Sequence, residues 1–124
     1  MSTVLLIEDS LTETDVLTRY LQQGGWTVMS VKSVEEAQNR LSLSRPDLIV
    51  LDVVLPGQSG FELCRELKTS PSTVSIPVVL CSTKSTEADK MWGSMLGADA
   101  YLPKPISQQD LLTTVQRLVT QPNL

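Results

Sequence analysis

Histidine is absent from the 124 residues, which removes imidazole acid–base chemistry, histidine metal ligation and any phosphohistidine on this chain. Cysteine is scarce. Cys64 sits in a helical pattern and Cys81 in an apolar run, and both read as reduced packing residues rather than disulfide partners or nucleophiles. No apolar stretch approaches the ~18 residues of a membrane span, which argues against membrane insertion. The opening Met1-Ser2-Thr3-Val4 has no basic residues ahead of an apolar run and no cleavage pattern, so a cytoplasmic location is expected. Positive charge is also in deficit. Ten Lys plus Arg against fourteen Asp plus Glu give a net charge of −4, with no global attraction to nucleic acid or anionic lipid. Reactive chemistry must therefore rest on carboxylates, hydroxyls and lysine.

What is present is an ordinary globular composition, 41% apolar and 19% charged, in a length that suits one core. Residues 1–124 are read as one domain, with no room for a second. Five strand-like runs recur: Val4–Ile7, Trp26–Val31, Leu48–Leu51, Val78–Cys81 and Ala100–Leu102. Four are nearly continuous in apolar residues or rich in β-branched ones, as expected of strands covered on both faces. Helical spacing appears at Val16, Leu17, Tyr20 and Leu21; at Val34, Ala37 and Leu41; at Phe61, Cys64 and Leu67; at Ala88, Met91, Trp92 and Met95; and at Leu111, Leu112, Val115, Leu118 and Val119. Ser10 with Glu13, Ser33 with Glu36 and Ser59 with Glu62 fit the capping box, and Ser107 with Asp110 is a weaker relative. Gly24-Gly25 and Gly97 fall where helices should end, and Gln121-Pro122-Asn123-Leu124 reads as a frayed end. Strand and helix thus alternate five times. That alternation predicts a doubly wound α/β fold with a parallel sheet and right-handed crossovers.

In such a sheet, ligand sites lie beyond the carboxyl ends of the strands, near the point where strand order reverses. That rule selects Glu8-Asp9 after the first strand, Asp52 after the third, Ser82-Thr83 after the fourth and Lys104-Pro105 after the fifth. Two like charges ~4 Å apart repel by about 4 kcal/mol at a surface-like dielectric, so three clustered carboxylates need a compensating cation. Lys104 supplies one charge and a divalent metal would supply two. Oxygen donors without imidazole favour a hard cation, Mg²⁺ first and Mn²⁺ as a substitute.

At these residues the chain resembles the response-regulator receiver family of two-component systems. The resemblance rests on Leu6-Ile7-Glu8-Asp9-Ser10, on Asp52-Val53-Val54-Leu55-Pro56 with Gly60, on Ile76 to Ser82, and on Gly97 to Pro105, in order and at suitable spacing. It implies a flavodoxin-like (βα)5 three-layer sandwich with strand order 2-1-3-4-5, a single receiver domain without an effector domain. It further implies that Asp52 is the phosphoacceptor and that Asp9, Asp52 and the Val54 carbonyl ligate Mg²⁺. Glu8, where the family more often has Asp, would act through a metal-bound water. Ser82 and Lys104 would contact the phosphoryl group, Ser82 and Tyr101 would form the switch, and Val54 and Lys84 would tune dephosphorylation. The Lys104–Pro105 bond would be cis. A histidine kinase or phosphotransfer protein would be the donor, and the fourth helix, fifth strand and fifth helix would meet a downstream protein.

Met91, Trp92 and Met95 read first as core packing. Yet Trp92-Gly93 followed by Leu96 to Tyr101 also resembles response regulators of pilus-linked chemosensory systems for motility or taxis. Three other functions compete. A degenerate receiver would bind partners without phosphorylation. A haloacid-dehalogenase-type phosphatase would use Asp52 but needs a second acid where Val54 stands, and a flavin carrier would need a hydroxyl-rich loop after the first strand. The reading favoured is a switch rather than an enzyme, catalysing only its own phosphorylation and dephosphorylation.

Overall fold

The computed structural model describes residues 2–120, so the Gln121–Leu124 end lies outside the described residues. Ten elements alternate: β1 (Thr3–Ile7), α1 (Leu11–Gln23), β2 (Thr27–Val31), α2 (Val34–Leu43), β3 (Leu48–Asp52), α3 (Gly60–Thr69), β4 (Val78–Ser82), α4 (Glu87–Met95), β5 (Ala100–Pro103) and α5 (Gln108–Thr120). The strands form one parallel sheet in the order β2-β1-β3-β4-β5. The chain therefore winds outward to β2, returns across β1 and proceeds through β3, which makes the β1/β3 seam the reversal point. Among the described residues, no helix is long and apolar enough to cross a membrane.

Side chains alternate across the strands, so each strand feeds two cores. Leu5, Ile7, Ile49, Leu51, Val78 and Leu80 pack with Val34, Ala37, Leu63, Cys64 and Leu67 from α2 and α3. On the opposite face Val4, Leu6, Leu48, Val50, Val79 and Cys81 pack with Leu17 and Leu21 of α1 and Leu111 and Val115 of α5. The result is three layers. β3 and β4 are buried at every residue, whereas β2 and β5, at the sheet edges, are only partly covered. The expectation of two covered faces holds for the interior strands and fails for β2, whose partner on one side is solvent.

The helix starts are marked by the expected serines, but not by the expected boxes. The Ser10 and Ser33 hydroxyls accept from the Glu13 and Glu36 N–H groups, and Ser59 accepts from Phe61 N–H rather than Glu62. The Glu36 carboxylate reaches Lys32 N–H and the Ser33 hydroxyl, one residue beyond the N-cap N–H that a capping box requires. A complete capping box occurs instead at Thr86 and Asp89 of α4. Trp26 lies just outside β2 because its N–H closes on Leu21 O in the last turn of α1, where Gly25 takes φ +89°.

The fourth helix overturns the packing expectation. Met91 is 66% exposed, Trp92 48% and Met95 70%, and Ala88 is exposed as well. The buried residues of α4 are Asp89 and Gly93. A Cβ on Gly93 would stand 2.9 Å from Leu80 Cδ1 and 3.1 Å from Tyr101 Cδ2, so the missing side chain is what lets α4 lie against the sheet.

Candidate functional site

Parallel register brings the strand ends level: Ile7 pairs with Leu51, Asp52 with Cys81 and Ser82 with Pro103. The residues immediately beyond therefore converge on one edge of the sheet. Glu8, Asp9, Glu13, Asp52, Val54, Ser82 and Lys104 line a cleft of about 540 Å³ there. Sequence reasoning named all of these except Glu13, which it read only as a capping partner.

Asp52 is 5% exposed. Its Oδ1 accepts from Val54 N–H at 3.1 Å and its Oδ2 from Lys104 Nζ at 3.1 Å, so both oxygens are oriented before any ligand arrives. The backbone beyond it turns tightly, with Gly60 N–H donating to Val53 O at 2.8 Å. A Cβ on Gly60 would lie 2.1 Å from the Asp52 carbonyl oxygen, so only glycine permits this approach.

Lys104 organises the acidic groups. Its ammonium contacts Glu8 Oε1 at 2.5 Å, Asp52 Oδ2 at 3.1 Å and the Glu13 carboxylate, with only 7% of the side chain exposed. Burial opposes the charged ammonium, but the hydrogen bonds it donates to Glu13 and Glu8 outweigh it and raise its pKa above the ordinary lysine value. Glu8 is 1% exposed. Its second oxygen accepts from Ser10 N–H at 3.2 Å. Burial pushes its carboxyl up to about 7, aided by the charge of Asp52 and resisted by the bonds from Lys104 and Ser10. The Lys104–Pro105 peptide is cis, and Lys104 N–H donates to Ser82 O at 3.0 Å, tying the lysine segment to the end of β4.

The carboxylate oxygens of Glu8, Glu13 and Asp52 lie within 4.8 Å of one another, and the exposed Asp9 stands at the same mouth. Four carboxylates face one ammonium. With oxygen-only donors this set fits a hard divalent cation, whose charge would offset the excess.

On the β4 side, the buried Ser82 Oγ accepts from Lys84 N–H at 3.0 Å. Lys84 Nζ is turned onto Asp89 Oδ1 at 2.7 Å, while the other Asp89 oxygen accepts from Thr86 N–H and hydroxyl. Hydrogen bonds from Lys84 and Thr86 hold the Asp89 carboxyl down at about 2. The Tyr101 phenol donates to Lys84 O, and its ring lies 6.4 Å from that of Phe61. Burial pushes that phenol up to about 12, which keeps it a donor. Sequence reasoning missed the Lys84–Asp89 pair, although Thr86-Glu87-Ala88-Asp89 carried the capping signature. The two cysteines are buried and free, with burial pushing the Cys64 thiol up to about 11.

The profile of the response regulator receiver domain matches residues 4–116. The chain belongs to that family. Among curated proteins, this receiver is 34% identical to protein PilH of Pseudomonas aeruginosa over 119 residues, 96% of this chain and 98% of PilH. Among solved structures, a putative response regulator from Chloroflexus aurantiacus J-10-fl superposes with a TM-score of 0.92 at 30% identity, covering 97% of this chain and 98% of that one. The Mn(2+)-bound form of response regulator Rcp1 matches with a TM-score of 0.82 at 27% identity, covering 100% and 99%. The strand order 2-1-3-4-5 and five helices are those of the receiver fold.

Proposed function

We propose that this receiver is a phosphorylation-controlled switch. A histidine kinase or phosphotransfer protein donates a phosphoryl group to Asp52, and the modified chain acts by binding another protein. The observation that carries this reading is the placement of Asp52 at the end of β3, its two oxygens oriented by Val54 N–H and Lys104 Nζ at the floor of an acidic cleft.

In the reaction an Asp52 oxygen attacks phosphorus in line, the bond from phosphorus to the donor's imidazole nitrogen breaks, and an acyl phosphate results. Lys104 stands within reach of the phosphoryl oxygens and offsets charge as it develops. Asp9, Asp52 and the Val54 carbonyl would hold Mg²⁺ or Mn²⁺, with Glu8 acting through a water. When bound, the ion supplies further neutralisation of phosphoryl charge. The match to a Mn(2+)-bound response regulator supports a divalent ion, though it names no ligand.

The Ser82 hydroxyl proton is available to a phosphoryl oxygen, since its oxygen serves as the acceptor for Lys84 N–H. Drawing Ser82 toward Asp52 disturbs Lys84, and Lys84 O is what holds the Tyr101 hydroxyl. Tyr101 then turns inward and the face of α4, β5 and α5 changes. Val54, 57% exposed at the cleft mouth, and Lys84, whose ammonium is turned onto Asp89, tune the loss of the phosphoryl group to water. Catalysis is confined to the chain's own phosphorylation and dephosphorylation. A cytoplasmic role in pilus-linked motility or taxis is supported by the Trp92-Gly93 segment and by the full-length match to PilH.

Incubation with acetyl phosphate and Mg²⁺ tests the reading by intact mass. One added phosphoryl group is expected on the native chain and none on Asp52→Asn. Partner capture unchanged by beryllofluoride would favour the phosphorylation-independent module instead.

A further inference from the structure

Glu13, Glu36 and Asp89 occupy the same position, third in their helices, behind the N-caps Ser10, Ser33 and Thr86. Two of the three spend their carboxylates on the helix start. Glu36 accepts from Lys32 N–H and the Ser33 hydroxyl, and Asp89 from Thr86 N–H and hydroxyl. Glu13 does not. Its N–H is capped by Ser10 Oγ at 3.3 Å, and its carboxylate turns into the cleft onto Lys104 Nζ, a residue 91 positions away. Local capping chemistry has been given up for a tertiary contact.

An ammonium has three N–H donors, and those of Lys104 are matched by Glu8, Glu13 and Asp52. Phosphorylation of Asp52 converts the carboxylate that Lys104 holds, so that N–H can pass to a phosphoryl oxygen only if the ammonium follows it outward, and the contacts to Glu8 and Glu13 oppose that movement. Glu8 is the less readily released of the two, because its side chain is 1% exposed and its other oxygen is held by Ser10 N–H. Glu13 is 40% exposed at its side chain and can rehydrate.

We infer that Glu13 is a positioning residue for Lys104, a releasable arm that holds the ammonium on the α1 side of the cleft and competes with the phosphoryl group for it. The inference rests on the receiver reading of Asp52. Its energetic scale is that of a partly exposed ion pair, so removing the arm should favour the phosphorylated form by roughly two- to five-fold.

Two measurements on Glu13→Gln and Glu13→Met test it. The first is acetylation by trace acetic anhydride, followed residue by residue by peptide mass spectrometry. Lys104 should label several-fold faster in both variants, while Lys68, which is 12% exposed at its side chain and bonded at the far end of the sheet, keeps its native rate. Unchanged labelling at Lys104 overturns the inference, and so does a parallel rise at Lys68, which would mean general loosening. The second is titration with beryllofluoride in the presence of Mg²⁺, where affinity should rise roughly two- to five-fold. Equal or weaker affinity overturns the inference. Tighter affinity without faster Lys104 labelling also overturns it, since Glu13 would then act through its charge alone. A native chain that takes neither phosphate nor beryllofluoride rejects the receiver reading, and the labelling arm still decides whether Glu13 holds Lys104.

Discussion

Lys104→Met removes the ammonium and keeps most of the stem, so its effect isolates charge from packing. In the native chain Glu8 and Asp52 are 1% and 5% exposed and share Lys104 at 2.5 and 3.1 Å. Without the ammonium, carboxylate oxygens within 4.8 Å of one another face each other with no cation between them, and a like pair at ~4 Å repels by about 4 kcal/mol at an effective dielectric near 20. Breaking a buried pair by deleting one partner costs about 3–5 kcal/mol, and the cleft's opening to solvent places this site at the lower end, about 3 kcal/mol. The cost must depend on pH. Glu8, already pushed up to about 7, rises further in the variant, so the folded state binds more protons than the unfolded one above the ordinary carboxylate range. Stability of the variant therefore falls as pH rises through that window and recovers as pH drops toward 5. Urea unfolding of both proteins without divalent metal at pH 7.5 and pH 5 measures this. The deficit should shrink at the lower pH, and added Mg²⁺ should restore part of it at pH 7.5. An equal deficit at both values would show that the lost methylene packing, rather than stranded charge, carries the effect, and the electrostatic account would be wrong.

Gly93→Ala should lose about 1–2 kcal/mol, because the contacts at 2.9 Å to Leu80 and 3.1 Å to Tyr101 overpack α4 by more than the ~1 kcal/mol gained in helix propensity; a raised melting temperature would contradict this. The Asp89 carboxyl, held down at about 2 by Lys84 and Thr86, contributes stability that is present above its ordinary value near 3.8 and is lost as pH falls toward 2. Asp89→Asn should accordingly be less stable at neutral pH and flatter than the native chain in acid unfolding between those values, with parallel curves as the disproof. Trp92→Ala, at a side chain 48% exposed, should change unfolding free energy by no more than ~0.5 kcal/mol, and a core-sized loss in urea unfolding would restore the packing reading of that stripe.

The sheet and the acidic edge at its carboxyl end were legible because both depend on signals carried locally. Continuous apolar runs such as Leu48–Leu51 have no stable place except an interior strand, and a carboxylate directly after such a run must emerge at the strand's carboxyl end. Asp52 followed from that alone. The orientation of α4 did not follow, because a helical repeat reports that one face is apolar without saying which face meets the sheet. There the sheet accepts Gly93 and a fully bonded Asp89, and Met91, Trp92 and Met95 are left outside. Glu13 failed for a different reason. Serine followed three residues later by glutamate is equally compatible with a capping box and with a carboxylate turned elsewhere, and only the return of Lys104 from 91 residues away decides between them.

On the proposed reading, the β4–α4 connection is the route by which an event at Asp52 would reach the exposed face of α4. Contiguity by itself is no coupling; a segment with two arrangements is needed. The β4–α4 connection is held by a short chain of bonds that a change at Ser82 would disturb. Ser82 Oγ serves as acceptor for Lys84 N–H, Lys84 O for the Tyr101 hydroxyl, and Lys84 Nζ binds Asp89 in the first turn of α4. A phosphoryl oxygen that recruits Ser82 alters the partner of Lys84 N–H, and a backbone group that loses a partner must find another. Because the Lys84–Asp89 pair ties the connection to the helix, re-pairing would carry α4 with it. The exposed Met91, Trp92 and Met95 ride on that helix, so on the proposed reading their arrangement would respond to the occupancy of Asp52 without any direct contact to it.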